Sequence, residues 1–119
     1  MKLVTSILVL TLTGCGAYPH LAVPSPAYCR ANGVSVPDGT PVTGQIVEYN
    51  FGRSMEVYAR CQRVSARGCA IPVSENDWVI WVADYPGIDP LEQNRIRTHE
   101  ECEALYAGGN GHTDGWMYD

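Results

Sequence analysis

The sequence predicts an α+β domain, a small antiparallel sheet with two helices stapled by disulfides, and three observations predict it. The apolar pattern runs strand, helix, strand, strand, helix without an internal repeat, an order that suits one sheet with helices packed on it. Four cysteines, Cys29, Cys61, Cys69 and Cys102, are spread along the chain without the CxxC spacing of a zinc site. The 119 residues supply one small core and scarcely a second.

Residues 1–14 read as a signal peptide. Met1 and Lys2 give the charged start, Leu3 to Leu12 the apolar middle, and small residues lead into Cys15. The apolar run is too short to span a bilayer. Leu12-Thr13-Gly14-Cys15 resembles the bacterial lipobox. That resemblance implies cleavage before Cys15 and lipidation of its thiol. The mature protein would then be attached to a membrane without spanning it, since several acyl chains on one residue make a stable anchor. Gly16 stands where Asp would favour inner-membrane retention in enteric bacteria, so the expected location is the cell envelope, at the outer membrane facing the periplasm. The plainer alternative is an unmodified cysteine behind an ordinary secretory signal.

Residues 15–43 are expected to form a proline-rich tether. Pro19, Pro24, Pro26, Pro37 and Pro41 fall among small residues, which disfavours regular structure, and Cys29 would pin the middle. His20, with no acid or thiol near it in sequence, is expected to face solvent.

Residues 44–119 are expected to hold the folded domain. Gln45 to Phe51 is rich in branched and aromatic side chains and reads as a strand that Gly52 ends. Ser54 is placed to cap a short helix to about Gln62, with Met55, Tyr58 and Ala59 on one face. Cys69 to Val73 and Asp77 to Asp84 then read as two strands of a hairpin across Ser74-Glu75-Asn76. Trp78 and Trp81 fall on opposite faces by the strand's period of two. Asp89-Pro90-Leu91-Glu92 begins a helix: Asp89 caps, Pro90 suits the first position and Glu92 the capping box. It should run to about Tyr106, where Gly108 and Gly109 stop it.

In an oxidising compartment the four cysteines imply two disulfides. Three pairings are possible. The short loop from Cys61 to Cys69 favours that pair, leaving Cys29 to join Cys102 and tie the N-terminal arm to the last helix. After loss of the leader, seven arginines face thirteen acids, a formal charge of −6. That balance excludes nucleic acid as an expected partner.

The residues that suggest chemistry are on the last helix and just beyond it. His99 and Glu103 are one turn apart and share a face, so both can reach one metal ion. A chain that turns back after the glycines can bring His112 to the same ion, with Asp114 as a further ligand or support. Glu100 is then the carboxylate that takes a proton from activated water, as in zinc proteases. The bland alternative for His99, Glu100 and Glu103 is a solvated charged face.

With these residues in place, the stretch from about Gln45 to Trp116 resembles the zincin metallopeptidase-like proteins, including small bacterial ones. The resemblance rests on Arg67-Gly68-Cys69-Ala70-Ile71, Trp78 to Asp84, Thr98-His99-Glu100-Glu101-Cys102-Glu103-Ala104 and His112-Thr113-Asp114-Gly115-Trp116. It implies a zincin-like fold, zinc as cofactor, His99, Glu103 and His112 as metal ligands, and Glu100 as the catalytic base. The chain departs from the pattern at Glu103, where a second His belongs, and in placing His112 three residues later than the third His of the longer metzincin motif. A carboxylate ligand keeps metal binding possible but lowers the charge of the site, which makes bound water less acidic.

Two functional expectations compete. One is an envelope-tethered zincin-like metallohydrolase, active or degenerate, acting on peptide or cell-wall material. The other is a non-catalytic envelope lipoprotein that binds a protein partner, with Trp and Tyr patches carrying its function.

Overall fold

A computed structural model describes residues 23–106 and 111–113. The leader, Cys15, His20, Gly108, Gly109, Asp114 and Trp116 lie outside the described residues. The elements run α1 (Pro26–Ala31), β1 (Gln45–Gly52), α2 (Ser54–Cys61), β2 (Gly68–Pro72), β3 (Asp77–Ala83) and α3 (Pro90–Leu105). No helix among the described residues is long and apolar enough to cross a membrane.

The architecture is α+β, and the sheet has the strand order β1-β3-β2. β2 pairs antiparallel with β3 through the expected hairpin, from Gly68 opposite Val82 to Pro72 opposite Trp78. In the turn, Ser74 Oγ donates to Asp77 Oδ2 at 2.9 Å. β1, however, pairs parallel with β3, so the sheet is mixed and not antiparallel as expected. The reason is the connection: α2 and β2 together carry the chain back, and β3 enters running the same way as β1.

Alternation along β3 divides the two faces. Ile80 and Val82 join Ile96 and Ala104 of α3 in one buried apolar cluster, with Ile46, Tyr49, Ala70 and Trp78 packed against it. Trp81 lies on the opposite side, under the Arg60 guanidinium of α2 at 5.3 Å from the ring centroid. The expected separation of the two tryptophans is therefore present.

Asp89 caps α3 as expected, its carboxylate accepting from the Leu91 amide at 3.0 Å. Glu92 leaves the capping box and pairs with Arg67 instead. α2 departs from expectation in two ways. Arg53, not Ser54, is its N-cap and makes no side-chain capping bond, and Val57 is the residue it buries. Met55, expected on the apolar face, is 75% exposed.

The largest departure is in the expected tether. Ser25 caps α1, accepting from the Tyr28 amide at 3.1 Å, and Pro26 takes the first helical position. Cys29, Val34 and Val36 are fully buried and form a second apolar cluster with Cys102 and Tyr106. The Tyr106 hydroxyl donates to the Pro24 carbonyl at 2.7 Å. Residues 24–36 are thus part of the folded core. The disulfides are Cys29–Cys102 and Cys61–Cys69, the favoured pairing, and the first joins α1 to α3.

Candidate metal centre

α3 is wedged between the sheet and the arm formed by residues 29–36, and that position buries polar as well as apolar side chains. Thr98, His99, Glu100 and Glu101 all lie inside, with His99 at 0% and Glu100 at 2% exposure. The expectation of a solvated charged face fails here. Burying such groups is costly unless each is hydrogen-bonded or paired.

His99 is oriented by the arm. Its Nδ1–H donates to the carbonyl of Asn32 at 2.8 Å. Asn32 is the C-cap of α1, where its amide N–H bonds back to the Tyr28 and Cys29 carbonyls, and its side-chain amide donates to Tyr28 O at 3.0 Å. A carbonyl held in this way fixes the ring and its tautomer and turns Nε2 toward the ligand position, the usual support of a metal-binding histidine. Nε2 lies 3.4 Å from Glu103 Oε2, one turn along α3.

His112 arrives from the other side. The Ser35 amide donates to Gly111 O at 2.7 Å and the Thr113 amide to Gly33 O at 2.9 Å, framing an antiparallel bridge between Val34 and His112. This places His112 Nε2 at 3.2 Å from Glu103 Oε2, with the two imidazole centroids 4.8 Å apart. His99 is buried, Glu103 partly so, and His112 opens to solvent, which leaves a route into the site from that side.

The three donor atoms lie within 4.8 Å of one another. Ligands at zinc bond lengths of about 2.0–2.1 Å in a tetrahedron stand about 3.3 Å apart. The two separations to Glu103 already match that figure. Two imidazoles and a carboxylate are also a donor set that zinc accepts, and they leave a coordination position open.

Burial by itself would raise the Glu103 pKa, but hydrogen bonds from His99 and Glu100, with the charges of His99 and His112, outweigh it. Together they hold the carboxyl at about 2, below its ordinary 4.5. Glu100 also sits hard against β2. A Cβ built on Gly68 would come within 3.2 Å of Glu100 Cγ and 2.8 Å of the Trp81 carbonyl, so glycine at position 68 is what lets α3 approach the sheet here.

All three ligands expected from sequence converge, and Glu100 joins them through Glu103. Sequence reasoning missed Asn32, although a signal was present: Ser25-Pro26 repeats the cap-and-proline opening seen at Asp89-Pro90. Tyr106, at the end of α3, is core at 7% exposure. The far side of α3 holds a separate groove of about 780 Å³ along β1, lined among others by Val42, Val47, Tyr49, Phe51 and Arg97. Comparison with protein-family models, curated proteins and solved structures finds no match to this chain.

Proposed function

We propose that the chain is an exported, lipid-anchored protein of the bacterial envelope whose His99, Glu103 and His112 hold zinc in a zincin-like hydrolase site acting on peptide or cell-wall material. The observation that supports this reading best is the convergence of the three donors with His99 Nδ1 committed to the Asn32 carbonyl. Zinc bound there supplies Lewis-acid activation of water and of a scissile carbonyl. His99 and His112 orient from opposite sides, and Glu103 supplies a negative ligand. Glu100 is the group placed to hold and pass a proton beside Glu103. The lipobox at Cys15 supports the anchor and the periplasmic, outer-membrane location.

Glu103 in place of the motif's histidine leaves an active hydrolase and a lapsed one as the two forms of this reading, and two variants separate them. Glu100→Gln tests catalysis: hydrolysis of a peptide or peptidoglycan substrate should vanish while zinc stays bound, and unchanged turnover would remove Glu100 from the chemistry. Faster hydrolysis by Glu103→His would identify a lapsed enzyme.

A second reading, a non-catalytic lipoprotein that binds an envelope protein, draws on the groove along β1. Val47 and Phe51 there are 48% and 47% exposed. Under that reading Phe51→Asp, and not His99→Ala, abolishes function.

A further inference from the structure

We propose that the Cys29–Cys102 disulfide is a positioning element of the metal site, so that zinc affinity depends on that bond while the Cys61–Cys69 bond leaves it untouched; the inference rests on the metal reading above. One short arm does three things. Cys29 fixes it to α3 at Cys102, three residues past His99. Three residues on from Cys29, the Asn32 carbonyl accepts from His99 Nδ1. Next to Asn32, Gly33 and Val34 take up the chain segment that carries His112. Both imidazoles are therefore aimed by residues 32–34, and those residues are held against α3 by the disulfide and the small cluster around it.

Gly33 is the pivot. Its φ of 91° is a left-handed value that side-chain-bearing residues rarely adopt, and it lets adjacent carbonyls serve different partners: Asn32 O faces His99, while Gly33 O accepts from Thr113. Cys61–Cys69 joins α2 to β2 and touches none of this. Groups that aim metal ligands typically change affinity by about 10–100-fold when lost.

The test is zinc titration of the full chain against a competing chelator, in the wild type and in variants of each disulfide and of Gly33, with far-UV circular dichroism confirming the fold. Cys29→Ser with Cys102→Ser should weaken zinc on the order of tenfold or more. Gly33→Ala should do the same with both disulfides intact, which tests the arm, and Cys29→Ala with Cys102→Val, which keeps the buried contact apolar, tests the bond if the double serine variant fails to fold. Cys61→Ser with Cys69→Ser should bind as the wild type. In cobalt-loaded protein, the visible absorption that reports ligand geometry should change in the variants of the arm and not in the Cys61–Cys69 variant. Wild-type affinity in a folded variant without the Cys29–Cys102 bond, wild-type affinity in folded Gly33→Ala, or equal weakening in the Cys61–Cys69 variant, overturns the inference while leaving the metal site standing. A wild type that binds no zinc fails earlier and removes the site itself.

Discussion

Two donated hydrogen bonds and two neighbouring imidazoles keep Glu103 ionised far into acid, and this has a direct consequence for stability. A carboxyl whose folded pKa lies below its unfolded value stabilises the fold above the unfolded value and loses that contribution as pH falls through the folded one. For Glu103 the window runs from about 4.5 down to about 2. Melting temperature of metal-free protein should therefore drop across that window, and Glu103→Gln should flatten the drop; an unchanged slope would mean that the carboxylate is not held as described. Most of the site's residues were legible as residues, since His99 and Glu103 lie one helical turn apart in any helix. Their burial was not legible. A run of His, Glu and Glu reads as surface until the chain segment that covers it is known, and that segment lies 67 residues away in the His99–Asn32 contact.

The strands, α3 and the disulfide pairing followed from local pattern, because branched residues, an Asp-Pro cap and a short cysteine loop act over a few positions. Long-range choices did not follow. The parallel pairing of β1 with β3 depends on how α2 and β2 return the chain, and nothing within Gln45–Gly52 records it. α1 was hidden by its prolines, which suggested a tether although Pro26 is a helix opener behind Ser25. The disulfides also differ in what they do for the fold. In the chain-entropy account, a loop with the 73-residue separation of Cys29–Cys102 is worth about 4 kcal/mol, and the 8-residue one of Cys61–Cys69 about 2.5 kcal/mol. Denaturant unfolding of the two double serine variants should reproduce that order; a larger loss from Cys61–Cys69 would show that the arm contributes little to stability.

Across the whole molecule, the proposed lipid anchor and the folded domain make separate predictions. Cys15→Ser with residues 1–14 replaced by a cleavable secretory leader should release the chain to the soluble periplasm with its zinc site intact, whereas the unaltered chain should fractionate with the membrane; an unaltered chain in the soluble fraction would contradict the anchor. Polar groups buried between a sheet and a disulfide-bound arm are costly for a domain of this size, and the simplest physical return for that cost is a bound ion. The most direct measurement is metal content and X-ray absorption on protein purified without added zinc, beside His99→Ala. One zinc per chain with imidazole nitrogen and carboxylate oxygen at about 2.0–2.1 Å, lost in the variant, is the predicted result. Protein without stoichiometric metal, or a variant that retains it, would contradict the account.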